Sequence, residues 1–93
     1  MDFENNTKTL LLVEDDDALR SRLGTALQKR GFNITSASSV AEGLRAVRAN
    51  APDYAVIDLR LQDGSGLDVV EALEQQRPDA RAIILTGYGN IPT

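Results

Sequence analysis

The chain carries 93 residues, 42% of them hydrophobic and 26% charged, with fourteen acidic against ten basic side chains and neither cysteine nor histidine. This length supports one domain, residues 1–93, because two separate cores would each fall where burial no longer offsets chain entropy. Without Cys or His there is no zinc site of nitrogen and sulfur ligands, no thiolate nucleophile, no Ser-His-Asp relay and no disulfide framework. Chemistry must then rest on carboxylates, hydroxyls, lysines and backbone. A formal charge of -4 argues against the chain itself gripping a polyphosphate backbone. The apolar runs are far too short for a bilayer span, and the opening MDFENNTKTL lacks the basic start and apolar stretch of a signal peptide. A cytoplasmic protein with no membrane contact is expected.

Residues 1–7 are polar and expected to fray. Residues 9–13 (TLLLV) form a short apolar run followed at once by acids, which fits a strand buried on both faces. Asp16 or Asp17 can cap a first helix with Leu19, Leu23, Ala26 and Leu27 on one stripe, basic Lys29 and Arg30 in its last turn, and Gly31 just beyond. Residues 32–37 read as the second strand. Ser39 with Glu42 three residues later is a capping box, opening a helix with Leu44 and Val47 inward that ends at Asn50 and Pro52. Residues 54–57 (YAVI) form a third strand ending on Asp58. The loop QDGSG leads into a helix carrying Leu67, Val70 and Leu73, stopping before Pro78, and residues 82–85 (AIIL) form a fourth strand ending on Thr86 and GYGN.

The order βαβαβαβ with right-handed crossovers predicts an α/β fold, a parallel sheet between helices. Working sites in such sheets lie beyond the carboxyl ends of the strands, which here carry Glu14 and Asp15, Asp58, and Thr86. Three carboxylates from neighbouring strand ends repel one another unless a cation or proton enters. Oxygen-only ligands favour a hard cation such as Mg²⁺. The Thr86 hydroxyl at the same rim can donate to a phosphoryl oxygen. Asp58, a lone acid closing an apolar strand, is the best candidate for a nucleophile that forms an acyl phosphate, whereas Glu14 and Asp15 come as a pair suited to metal. Taken singly, each acid could equally be a helix cap or a solvated loop residue.

LLLVEDD, YAVIDLRLQDGSGLDVV and AIILTGYGN together resemble the receiver domain of two-component response regulators, over nearly all the chain from Thr9 onward. The resemblance implies a flavodoxin-like (CheY-like) doubly wound sheet of order 2-1-3-4. It implies Asp58 as phosphoacceptor, Glu14 and Asp15 as the metal-binding pair, and Arg60 as the residue whose backbone carbonyl completes the Mg²⁺ shell. Thr86 would be the switch hydroxyl and Gly87 the small residue beside it. Within the family, VIDLRLQDGSGLDVVEAL and LTGYGNI are most similar to the redox-responsive regulators of the RegA/PrrA/ActR class. The implied partners are a sensor histidine kinase as donor and DNA, reached only through an output domain that is missing here.

Two departures stand out. Gln62 occupies the position where the family usually has Pro. The chain also reaches Thr93 before the family's fifth strand and last helix, and so lacks the lysine and aromatic switch found there; Lys8 and Lys29 do not occupy the equivalent place. Impaired phosphorylation is expected, as is homodimer or higher self-association through the exposed edge of the fourth strand. Two other readings compete. One is a receiver-like interaction module that is never phosphorylated. The other is a haloacid-dehalogenase-type phosphatase, whose general acid would fall at Arg60, a residue unable to give a proton usefully. DGSG lacks the spacing of a phosphate loop and reads as a turn before a helix, TGYG as a loop, Tyr88 as a half-buried loop residue, and Arg45, Arg48, Glu71 and Glu74 as solvated helix faces.

Overall fold

The alternation of short apolar runs with amphipathic segments resolves into nine elements in the computed structural model, which describes residues 7–85. They are β1 (Thr9–Val13), α1 (Asp17–Lys29), β2 (Asn33–Ala37), α2 (Val40–Ala49), β3 (Tyr54–Asp58), β4 (Arg60–Leu61), β5 (Gly64–Ser65), α3 (Leu67–Gln76) and β6 (Arg81–Leu85). Four strands form one parallel sheet in the order β2-β1-β3-β6, and β4 with β5 makes a separate antiparallel hairpin. The expected order 2-1-3-4 is therefore found, the fourth strand being β6.

Side chains alternate between the two faces of a strand, so a continuous apolar run feeds two cores at once. Leu11 and Val13 of β1 and Ala55 and Ile57 of β3 pack with Val40, Val47, Val69 and Leu73 beneath α2 and α3. Leu10, Leu12 and Val56 point the other way, toward Leu23 and Leu27 of α1, with Phe32, Ile34, Tyr54 and Leu85 around them. Each fully buried Leu, Ile or Val contributes about 1.5–3 kcal/mol. The central strands β1 and β3 thus hold the domain together and fix the positions of the residues that follow them.

Local rules explain the helix starts. The Asp16 carboxylate accepts from the Leu19 amide at 2.9 Å and opens α1. Ser39 Oγ accepts from the Glu42 amide at 3.1 Å and opens α2. The return half of the expected capping box lands one residue earlier, Glu42 Oε1 accepting from the amide of Ser38 at 2.8 Å and from its hydroxyl at 3.1 Å. Gly43 lets α2 lie low, since a Cβ there would sit 3.1 Å from a methyl of Val69 and 3.2 Å from one of Val13.

Three expectations need correction. No residue of α1 is fully buried and Ala26 is exposed, because among the described elements α1 alone covers its face of the sheet. In α3 the inward residues are Val69 and Leu73, while Leu67 is 49% exposed. A step of three residues falls about 60° short of a full turn, so Leu67 lies about 120° around the helix from Leu73 and cannot share its face. Finally, QDGSG is part of a hairpin rather than a plain loop. Leu61 pairs with Gly64 across the tip Gln62-Asp63, and Gly64 takes the positive φ of 150° that a side chain would resist. Arg45, Arg48, Glu71 and Glu74 are exposed, as solvated helix faces should be.

At the amino end of the sheet, Asp53 fastens three segments. Its Oδ2 accepts from the Thr9 amide at 3.0 Å and the Thr9 hydroxyl at 3.1 Å, its own amide donates to Thr9 Oγ1 at 2.9 Å, and Arg77 Nη2 lies 2.6 Å from its Oδ1. The amide of Arg81 donates to its carbonyl at 3.1 Å, bringing β6 into the same junction. Among the described residues no helix is long and apolar enough to cross a membrane.

Candidate functional site

The opposite, carboxyl edge of the sheet carries the acids. Val13 pairs with Ile57, so the residues that leave β1 come beside the last residue of β3. Glu14 is only 3% exposed and Asp58 7%, while Asp15 is half-buried. One oxygen from each of the three lies within 4.8 Å of the others. Two unit charges at about 4 Å repel by about 4 kcal/mol at an effective dielectric of 20, so three carboxylates here strongly favour an added positive charge. The effect shows in Glu14, whose carboxyl is held above its usual range by burial and by the charges of Asp58 and Asp15, with the Asp16 amide opposing.

Backbone contacts hold each acid in place. The Asp16 amide donates to Glu14 Oε2 at 3.0 Å, and the Glu14 amide donates to the Ala37 carbonyl at 3.0 Å. Arg20 Nη1 donates to the Glu14 carbonyl at 2.8 Å, its other terminal nitrogen resting 2.6 Å from Asp17. Asp58 Oδ1 accepts from the Arg60 amide and Asp15 Oδ2 from the Gln62 amide, each at 3.2 Å. The β4–β5 hairpin is thus strapped over both carboxylates. Its base is closed by the Gly66 amide donating to the Leu59 carbonyl at 2.9 Å, and the Leu59 amide donates to Leu85 at 2.9 Å. Gly66 approaches so closely that a Cβ on it would overlap the Asp58 carbonyl oxygen.

Of the expected site residues, Glu14, Asp15 and Asp58 come together, with Arg60 two residues on and its amide on Asp58. Thr86, Gly87 and Tyr88 lie outside the described residues; Leu85, just before Thr86, is paired with Asp58. Sequence reasoning missed Arg20, Gly66 and Asp63, whose carboxylate accepts from the amides of Val40 at 2.9 Å and Ala41 at 3.1 Å. The Asp63-Gly64 pair signals a turn, but it says nothing of where the Asp side chain lands.

The donor set is all oxygen, anionic and partly dehydrated, with Asp15 the most solvent-accessible of the three. That chemistry fits a hard divalent cation of the Mg²⁺ kind, which takes one or two carboxylates and completes its shell with water or phosphate oxygens. A carboxylate beside such an ion can also serve as a nucleophile toward phosphorus.

Residues 10–93 match the response regulator receiver domain. The photosynthetic apparatus regulatory protein RegA of Cereibacter sphaeroides is 56% identical over 86 residues, covering 92% of this chain and 47% of RegA. The acid tolerance regulatory protein ActR of Rhizobium meliloti is likewise 56% identical over 86 residues, covering 92% of this chain and 44% of ActR. The chain therefore spans about half the length of the curated relatives it matches. The solved response regulator TrrA of Thermotoga maritima, in complex with Mg²⁺-BeF, superposes with a TM-score of 0.81 at 30% identity, over 89% of this chain and 72% of that one. The expected similarity to the RegA and ActR class is found. With its match over residues 10–93 and its flavodoxin-like, CheY-like order of parallel strands, the chain belongs to the response regulator receiver domain family.

Proposed function

We propose that this chain is a phosphoacceptor module, with Asp58 taking a phosphoryl group from the phosphohistidine of a sensor histidine kinase. The observation that carries this reading is the meeting of Glu14, Asp15 and Asp58 at one strand edge, their oxygens within 4.8 Å of one another. One Asp58 oxygen attacks phosphorus as the P–N bond of the donor breaks. The electron pair returns to the imidazole nitrogen, which takes a proton from water, and an acyl phosphate remains on Asp58. Glu14, Asp15, Asp58 and the Arg60 carbonyl would hold Mg²⁺, which when bound supplies positive charge to the transferring oxygens. The Arg60 amide, 3.2 Å from Asp58 Oδ1, orients the carboxylate so that its other oxygen is free to attack. Thr86 and Gly87, carried over from the family pattern, would read the new charge.

Action in the cytoplasm and an output on DNA through a further domain belong to the same reading; the output is supported by the transcriptional regulatory protein GlrR of Escherichia coli, 37% identical over 83 residues. The chain's lysines, Lys8 and Lys29, stand before β1 and at the last turn of α1, away from the acids. Transfer is therefore expected to be slow. Self-association with a second copy is also part of the proposal. Ile83 is 62% exposed in mid-strand, and among the described strands β6 hydrogen-bonds only to β3. Sedimentation velocity should show a sedimentation coefficient rising with concentration; a constant monomer value would overturn that part.

Incubation with acetyl phosphate and Mg²⁺, followed by intact-mass measurement, tests the central step. A slowly accumulating phosphoryl adduct that disappears in Asp58→Asn is expected. An adduct that survives Asp58→Asn, or none after overnight incubation of a chain that binds Mg²⁺, would overturn it.

A further inference from the structure

The β4–β5 hairpin is too small to hold its own shape. It has two residues per strand, Arg60–Leu61 against Gly64–Ser65, and isolated hairpins even much longer are marginal in water. Yet this hairpin places the Arg60 amide on Asp58 and the Gln62 amide on Asp15, so its position sets the geometry of the acidic site. Something outside it must fix its tip. Leu61 is buried in the same core cluster as Val40, which anchors one strand. The tip residue Asp63 reaches across to α2, where its two carboxylate oxygens accept from the amides of Val40 and Ala41 at 2.9 and 3.1 Å. Those amides belong to the first turn, where no intrahelical acceptor exists and the helix dipole favours negative charge.

The division of labour at this helix start is informative. Ser39 already caps α2 through the Glu42 amide, and Glu42 already reaches back to Ser38. A second carboxylate from twenty-three residues downstream is not needed to begin the helix. What it adds is a fixed link between a rigid element and the turn next to Gln62.

We propose that Asp63 is a positioning residue for the acidic site, clamping the hairpin tip to the amino end of α2 so that Arg60 and Gln62 are held ready against Asp58 and Asp15. This rests on the reading of Glu14, Asp15 and Asp58 as a Mg²⁺ site. Without the clamp, the Arg60 backbone must be ordered when the ion binds, and affinity falls. Loss of a group that orients metal ligands commonly costs about tenfold or more in affinity.

The test compares two caps of one helix. Asp63→Ala removes the cap that also holds the hairpin, and Ser39→Ala removes the cap that does not. In the full chain, at a temperature where both are folded by circular dichroism, Mg²⁺ is titrated and followed by ¹⁵N-amide shifts, and amide hydrogen exchange is measured without metal. Asp63→Ala should weaken Mg²⁺ binding about tenfold and speed exchange at Gln62. Ser39→Ala should leave both within twofold of the parent while lowering the unfolding midpoint. Should Asp63→Ala fail to fold, Asp63→Asn, which keeps one acceptor oxygen, enters the same comparison with a smaller loss expected. Equal Mg²⁺ affinity in the Asp63 and Ser39 variants, or tighter binding in the Asp63 variant, would overturn the proposal. If the parent itself binds no Mg²⁺, the metal reading fails, and exchange at Gln62 decides the clamp by itself: no change in the Asp63 variant would overturn it.

Discussion

Gly66 shows how tightly the site is built at the level of one residue. A methyl there would overlap the Asp58 carbonyl oxygen and crowd a methyl of Ile57, so the strand end carrying the proposed phosphoacceptor would have to shift. Gly66→Ala is expected to cost about 3 kcal/mol, read as a lower urea midpoint with unchanged slope. Glu14→Gln should act oppositely on the metal-free chain. Removing one of three crowded negative charges should raise stability by about 1 kcal/mol while abolishing Mg²⁺-dependent shifts. The three acids were legible in the sequence because each ends or follows an apolar run, a position the parallel sheet carries to one edge. Asp63 was not, since an Asp in a turn looks the same whether it faces water or a helix twenty-three residues away.

The helices divide according to what covers them. Leu73 is 2% exposed beneath α3 and Leu67, six residues earlier, is 49% exposed. Leu73→Ala should therefore destabilise by about 3 kcal/mol and Leu67→Ala by no more than about 0.5 kcal/mol, in parallel urea titrations. Equal costs would mean that the face of α3 is wrongly placed. The two central strands were readable because LLLV and YAVI, buried on both sides, have no polar residue to break them, whereas β2 (NITSA) is mostly exposed and was legible only from its place between two helices. The hairpin was not, because RLQDGS is too short to show alternation. The face of α3 was misjudged because Val69 and Val70 are adjacent and of equal hydrophobicity. Only packing against Gly43, where the neighbouring helix offers no side chain, selects Val69 as the buried one.

Across the whole molecule, the two ends of the sheet are electrostatically opposite in character: one crowds like charges, the other pairs unlike ones. Asp53 is held below its usual carboxylate range by the Thr9 amide first, with the Thr9 hydroxyl and Arg77 also lowering it and burial opposing. Arg77 is shared with Asp79 at 3.7 Å, and Lys8 lies over the ring of Tyr54, 5.9 Å from its centroid. A depressed folded value means that the unfolded chain binds the proton more readily. The stabilisation is therefore complete above the unfolded value of 3.8 and is lost as pH falls through the lower folded value. Asp53→Asn should lower stability at neutral pH and flatten the acid limb of the stability curve below about pH 4, measured by thermal melts from neutral pH downward. An unchanged acid limb would count against the junction.

Strand order also governs how the chain can be assembled as it is made. The first strand synthesised, β1, is central, with β2 on one side and β3 on the other, and the Thr9–Asp53 bonds span 44 residues of sequence. Until residues 54–58 emerge from the ribosome, LLLV has one open hydrogen-bonding edge and an uncovered apolar face. Nascent chains stalled when Ala37 has emerged from the ribosome but Tyr54 has not should expose that strand to chaperones or to one another, and chains from which Asp58 has emerged should not. The most buried strand of the finished protein is thus its most vulnerable segment during synthesis.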